Sequence, residues 1–352
     1  MKNLVIISPF QFRLQRGVER FNYYLANQLV KAYNIRITFF VWDYPKRINW
    51  GKWDHKIKFK FVPYSRYFQA YFARIFYWKW LSLKSPDVYL INFMYHGESI
   101  LPKTSKILYV LHSPASLIPS RYEFIASVYM KFNSLTFISV SKSVKDASKQ
   151  YFNSNSNFVV HHGLDFSEIN RKSYYEQKGK LKILTVAALE SWKGIQHVIS
   201  VFKECEIKRN FEYHIIGAGP HYNDLYQEVI KNNAEDYVSF LGLKNNVHSL
   251  YSNYDIYCQL SDGEAFGLSV IEAMGAGLPT IVYNVPPFDY LFPPGKVIKI
   301  EKDYNEQLKL ELFHLLSSKN RQKLGLEGQK FVLKTFTKEK MADEYFEIIN
   351  MV

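Results

Sequence analysis

A chain of 352 residues, 47% of them hydrophobic, has enough apolar surface for two domains of ordinary size. Its two cysteines, Cys205 and Cys258, exclude a metal cluster built on thiolates alone, and their apolar neighbours predict buried, reduced thiols. The net charge of +13 is lopsided: residues 1–165 carry 23 Lys and Arg against 8 Asp and Glu, the remainder 22 against 24, which predicts two units with different partners.

The apolar run in Met1–Pro9 is too short for a signal peptide or a membrane span and reads as a first buried strand. No later run reaches the length of a spanning helix, so an intracellular protein is expected. Further strands are predicted at Ile35–Trp42, Val88–Phe93, Ile107–His112, Leu135–Val140 and Phe158–His161. Residues Phe166–Lys180 are polar without apolar periodicity and read as a linker. Strands then resume at Leu181–Ala187, Glu212–Ile216, Val238–Leu241, Ile256–Gln259 and Thr280–Tyr283, and Lys338–Val352 reads as an amphipathic helix. Short apolar runs alternating with helical stretches give an α/β class with parallel sheets, in units 1–165 and 181–337. There is no solenoid-length repeat. In such sheets ligands bind beyond the C-terminal ends of the strands.

The most informative such loop runs from Ser261 to Thr280 and holds two glutamates eight positions apart. Glu264 sits in a polar turn, and Glu272 lies one to two turns into an apolar run, Phe266–Met274, that Gly275, Gly277 and Pro279 terminate. A helix opening at Phe266-Gly267 presents unpaired N–H groups and a positive dipole end, an anion site. A carboxylate at each end of that anion site suits a ligand with hydroxyls at both ends and phosphates between, as in a nucleotide sugar.

This stretch resembles the Glu-x7-Glu signature of the retaining GT-B glycosyltransferases of family 4, within the context E-x-F-G-L…E-A-M-x-x-G-x-P. The resemblance covers nearly the whole chain and implies the GT-B architecture, two Rossmann-like domains facing across a cleft. It implies that Glu264 bonds the donor sugar and Glu272 the ribose, and that backbone groups of Ala265, Phe266, Gly267 and Leu268 hold the diphosphate. Lys193, in Leu184–Gly194, matches the family's diphosphate-binding lysine, but Ala187-Ala188 stands where the family has Gly-Arg. His112, at a strand end, matches a histidine beside the reacting sugar. After the first strand the chain keeps Gly17 of the family's two glycines and has Arg16 at the first; Arg16, with Arg13, is a candidate to supply the missing phosphate charge. Ile216-Gly-Ala-Gly-Pro220 resembles the family's G-x-G-P turn and places Gly217 beside the nucleotide, and Leu243 follows a strand end that meets the base. The segment ending in Gly163-Leu-Asp165 resembles the family's hinge, with His161 and His162 structural.

A D-x-D metal motif is absent from the sequence, and the resemblance implies no required cofactor or metal, only a UDP- or GDP-sugar donor. Residues 39–80 hold Trp42, Trp50, Trp53, Trp78 and Trp80 among many cations, including Lys58, Lys60, Arg66 and Arg74. Amphipathic rings beside cations fit an anionic lipid surface. The expected protein is therefore a cytoplasmic hexosyltransferase, peripheral on the inner face of the membrane, acting on a lipid-linked or polysaccharide-precursor acceptor. Nucleic acid is not expected, since its usual reading motifs are missing. Two other functions fit the same residues: an inverting GT-B enzyme with His112 as base, and a catalytically silent binding protein.

Overall fold

The computed structural model of the chain describes residues 2–8, 17–41, 52–61, 86–92, 101, 103–113, 119–152, 157–176, 179–302 and 304–352. They form two compact units, Met1–Leu164 with Lys338–Val352, and Asp165–Thr337.

In the first unit, strands β1 (Asn3–Ser8), β2 (Arg36–Val41), β3 (Ile57–Phe61), β4 (Val88–Ile91), β5 (Lys106–Leu111), β6 (Ser134–Ser139) and β7 (Asn157–Val159) form one sheet. Its order is β3-β2-β1-β4-β5-β6-β7, with every pair parallel. The central strands β1 and β4 are near-continuous apolar runs because both faces of a parallel sheet are covered. Helices α1 (Gly17–Tyr33), α2 (Pro119–Tyr129) and α3 (Lys142–Ser148) belong to this unit. The Ser141 hydroxyl caps α3 by accepting from the Val144 amide at 3.4 Å.

In the second unit, β8 (Leu181–Val186), β9 (Phe211–Ile216), β10 (Val238–Gly242), β11 (Ile256–Gln259), β12 (Thr280–Tyr283) and β13 (Ile298–Ile300) form a parallel sheet of order β10-β9-β8-β11-β12-β13. Around it run α4 (Ile195–Val201), α5 (Cys205–Asn210), α6 (Tyr222–Lys231), α7 (Leu268–Gly275), α8 (Phe288–Leu291), α9 (Asn305–His314) and α10 (Ser318–Thr335). Ile183, Ile215, Ile256 and Ile281 of the strands and Ile199, Val229 and Leu308 of the helices join in one buried core. The last helix, α11 (Lys338–Met351), packs in the first unit. Tyr33 stacks on Phe346 with centroids 3.7 Å apart and donates to Asp343 at 2.6 Å.

Two expectations are corrected, and two strands are added. Residues from Phe166 to Tyr175 are packed onto the second unit, not a free linker. Phe166, Ile169 and Tyr175 are buried, Lys172 pairs with Asp255 at 3.1 Å, and the Tyr175 hydroxyl donates to the Gly277 carbonyl at 2.7 Å. Individual anchors hold this segment, so it carries no period. Cys258 is buried as expected, but Cys205 is exposed, in the first turn of α5. The added strands are β3 and β13, which no continuous apolar run marks. Both are sheet edges in which apolar residues alternate with lysine, Ile-Lys-Phe-Lys-Phe and Ile-Lys-Ile.

Part of the aromatic, basic stretch is thereby internal structure. Trp53 meets Phe39 and Phe59 edge-on at 5.4 and 5.1 Å, and Phe59 stacks on Phe39. Trp42, Trp50, Trp78, Trp80, Arg66 and Arg74 lie outside the described residues. No helix among the described residues is long and apolar enough to cross a membrane.

Candidate active site

The order of the second sheet reverses between β8 and β11, and the loops leaving these two strands carry the charged residues of interest. After β8 the chain enters a short turn of 3-10 helix, Ser191–Lys193, and starts α4 at once. Gly194 makes this possible: its φ is +69°, and a Cβ there would lie 1.7 Å from the Leu260 carbonyl oxygen at the end of the β11 strand path. The Asp262 amide donates to the Trp192 carbonyl at 2.8 Å, tying the two loops together.

This junction brings Lys193 and Glu264 into contact, Nζ to Oε1 at 2.5 Å, with the two side chains only 14% and 10% exposed. The Trp192 ring lies 4.0 Å under the same ammonium. Gln259 Nε2 and Ser261 Oγ also donate to Glu264 Oε1, at 2.7 and 3.0 Å. Three donors thus converge on one carboxylate oxygen, and Oε2 takes no donor from the described residues.

Four residues after Glu264, α7 opens. Gly267 caps it with φ +86° and no side-chain bond, so the Leu268 and Ser269 amides stand at an uncapped helix start. A Cβ at Gly267 would lie 2.4 Å from Phe288 Cε1, which leaves no room for another residue. Glu272 faces inward from α7 and is buried, with Tyr251 donating to its Oε2 at 2.9 Å and His248 Nε2 3.4 Å from Oε1. His248 also stands 3.8 Å from Glu168.

The two glutamates are linked through side chains. The Tyr257 hydroxyl donates to Gln259 Oε1 at 2.7 Å, and the Tyr257 and Tyr251 rings are 6.1 Å apart. Burial, chiefly, holds the Tyr257 hydroxyl protonated far above its ordinary range, and both carboxylates add to this. At the neighbouring strand ends, the Gly217 amide donates to the Gly242 carbonyl at 3.0 Å, and Leu243 follows with 75% of its surface exposed. Ala188 is exposed and supplies no charge.

The structure therefore gathers Lys193, Glu264, Ala265–Leu268 and Glu272 on one side of the second sheet, with Gly217 and Leu243 at the adjoining strand ends. Tyr251, His248, Gln259, Ser261 and Ser269 complete this arrangement and were not singled out from the sequence. The Glu-x7-Glu spacing points to the two carboxylates but not to the side chains that hold them.

In the first unit, Gly17 begins α1, and Arg13 and Arg16 lie outside the described residues. His112 follows β5, where a buried polar chain reaches it. Asn22 donates to Ser8 Oγ at 2.9 Å, Asn92 donates to Asn22 Oδ1 at 2.7 Å, and Asn92 Oδ1 meets His112 Nε2 at 2.9 Å. An amide oxygen accepts, so this arrangement puts the ring proton on Nε2.

His162 packs against Phe21 and His112, with centroids 5.0 and 5.4 Å away. Burial, then the neighbouring His161, lowers its pKa to about 3; burial, then Lys340, lowers that of His161 to about 4. Both shifts are downward, so the unfolded chain binds protons below about pH 6.5 that the folded chain refuses. The stability carried by these groups is complete above that pH and is lost as pH falls toward 4 and 3. Urea unfolding between pH 6 and pH 5 should lose up to about 1.4 kcal/mol per pH unit for each histidine. His162→Phe should flatten that dependence, and an unchanged slope would contradict the assignment.

Residues 166–331 match the family model Glycosyl transferases group 1. The GtfA subunit of the UDP-N-acetylglucosamine--peptide N-acetylglucosaminyltransferase of Streptococcus agalactiae is 32% identical over 147 residues, 42% of this chain and 29% of that protein. The O-antigen biosynthesis glycosyltransferase WclY of Escherichia coli is 26% identical over 233 residues, 64% of this chain and 63% of that one. The chain thus spans less than two thirds of these curated relatives. Anabaena HepE, solved in complex with UDP-glucose, is similar in fold, with a TM-score of 0.82 over 100% of both chains at 14% identity. The chain has the GT-B fold, and its residues 166–331 are similar to the group 1 glycosyl transferases.

Proposed function

We propose that this chain is a retaining glycosyltransferase of family 4 that moves a hexose from a UDP- or GDP-sugar to a hydroxyl of a lipid-linked or polysaccharide-precursor acceptor. The observation that carries the reading is the contact of Lys193 with Glu264, eight positions before the buried Glu272, beside an uncapped helix start. A carboxylate only accepts hydrogen bonds, which suits Glu264 Oε2 to sugar hydroxyls and Glu272 to the ribose. Lys193 has three N–H donors, one of them on Glu264, leaving two for phosphate oxygens. Leu268 and Ser269 add backbone donors, so the phosphate charge is met without a divalent metal.

The acceptor hydroxyl attacks the anomeric carbon on the face from which the phosphate leaves. The carbon–phosphate-oxygen bond breaks as the new carbon–oxygen bond forms, and the departing oxygen takes the hydroxyl proton. No protein nucleophile is needed, and Lys193 with the α7 start stabilises the growing phosphate charge. The inverting alternative would make His112 the base. Its Nε2 proton goes to the neutral Asn92 amide, whereas a carboxylate partner would strengthen the ring as a base.

HepE was solved in complex with UDP-glucose, GtfA is named for UDP-N-acetylglucosamine, and WclY for O-antigen biosynthesis; these relatives support the donor and acceptor classes. The excess positive charge of residues 1–165 supports an acceptor at an anionic membrane on its cytoplasmic side.

Glu272→Ala should weaken binding of free UDP or GDP by about 10- to 100-fold, the loss of a charge-assisted hydrogen bond of about 1.5–3 kcal/mol. Glu264→Ala should leave that affinity intact and damage transfer. Calorimetry with the free diphosphates separates the two roles, and equal losses in both variants would refute them.

A further inference from the structure

We propose that Gln259 is a positioning residue that holds the sugar-binding face of Glu264 in place while Lys193 works on the donor phosphates. The inference rests on the donor-site reading above and adds to it a residue that the Glu-x7-Glu spacing does not reach.

The amide of Gln259 is the hub of a buried network. Its Oε1 accepts from the Tyr257 hydroxyl at 2.7 Å and from Ser269 Oγ at 2.8 Å. Its Nε2 donates to Glu264 Oε1 at 2.7 Å and reaches Ser261 Oγ at 3.3 Å. Glu264 can only accept, so the atom facing it is the NH2 group, and the amide orientation follows from chemistry alone. Gln259 itself is 1% exposed and lies at the end of β11, a central strand, so it is rigidly based. Ser269 stands in the first turn of α7, so one amide ties the Glu264 carboxylate to the helix start that faces the anion.

The consequence concerns charge that moves. Lys193 is the strongest partner of Glu264 Oε1, yet its ammonium is drawn toward the phosphate oxygens as they gain charge. A glutamate held by that lysine alone would turn as the lysine moved. Gln259 and Ser261 occupy the same oxygen with neutral donors that the phosphate does not compete for, so Oε2 stays aimed at the sugar. Gln259 therefore acts through Glu264 and bears on the sugar half of the donor, not the nucleotide half.

The test compares each nucleoside diphosphate with its sugar by calorimetry, using UDP with UDP-glucose and UDP-N-acetylglucosamine, and GDP with GDP-mannose. In the unaltered protein, at least one sugar should bind more tightly than its diphosphate. Gln259→Leu, which keeps the bulk and removes both hydrogen-bonding ends, should abolish that increment, roughly tenfold or more, and leave diphosphate affinity within about twofold. Gln259→Glu supplies a pH readout. Its carboxylate repels Glu264 when ionised and donates to it when protonated, so the sugar increment should return as pH falls from 8 to 5. Retention of the increment in Gln259→Leu, equal loss of diphosphate and sugar binding, or a pH-independent Gln259→Glu would overturn the inference. An unaltered protein that shows no sugar increment with any of these donors would instead overturn the functional reading, and the inference with it.

Discussion

Lys193→Ala is expected to lower kcat/KM for sugar transfer by about 10²–10³-fold, the loss seen when one preorganised charge stabiliser is removed from a site shielded from water. Three facts make the lysine hard to replace. It sits in a turn that Gly194 sets against the Leu260 carbonyl, its ammonium rests on the Trp192 ring, and it is mostly buried. Ala188, on the same loop, carries no charge that could take over. The variant also leaves Glu264 with only the neutral donors Gln259 and Ser261. Lys193→Arg should recover little, because a planar guanidinium does not fit the point contact at Glu264 Oε1. Steady-state transfer rates decide the matter, and a loss smaller than about fivefold would remove Lys193 from the reacting centre.

The second large effect is on stability. Arg321, in the first turn of α10, is 2% exposed, and its guanidinium donates to three carbonyls. Nη1 reaches Leu315 and Leu316 at 2.6 and 2.8 Å, and Nη2 reaches Tyr175 at 2.6 Å. It thus closes the end of α9 and pins the segment after Asp165 to the second unit. Arg321→Met keeps the volume and leaves those acceptors with one donor fewer each, a loss of about 3 kcal/mol or more. For a unit of this size that corresponds to a fall in Tm of roughly 6–12 °C. Scanning calorimetry should place the fall in the transition of the second unit, and a shift under about 2 °C would show that the carbonyls find other partners.

Much of this architecture can be read from the chain because both faces of the central strands are covered. Leu4–Ile7, Val88–Ile91 and Ile256–Cys258 are unbroken apolar runs for that reason. The edge strands β3 and β13 carry no such run because water reaches one face, and lysine takes alternate places. The segment Phe166–Tyr175 lacks a periodic pattern for a different reason. It is fixed by single anchors such as Lys172 to Asp255 and Arg321 to the Tyr175 carbonyl, and such contacts leave no spacing in the sequence. The site divides in the same way. Glu264 and Glu272 belong to one turn and one helix, so their separation is a local fact. Gln259 and Tyr251 donate directly to those carboxylates, from the end of β11 and from the turn before it, and the Tyr251–Tyr257 ring pair that joins them is brought together only by the fold.

The most direct measurement is the anomeric configuration of the product. The protein is supplied with UDP-glucose, UDP-N-acetylglucosamine and, separately, GDP-mannose, together with a lipid-linked saccharide extract, and the transferred sugar is examined by proton NMR. Release of the nucleoside diphosphate and a new glycosidic bond with the configuration of the donor are expected, both lost in Lys193→Ala. An inverted bond would contradict the retaining mechanism, and no diphosphate release from any of these donors would contradict the enzyme itself.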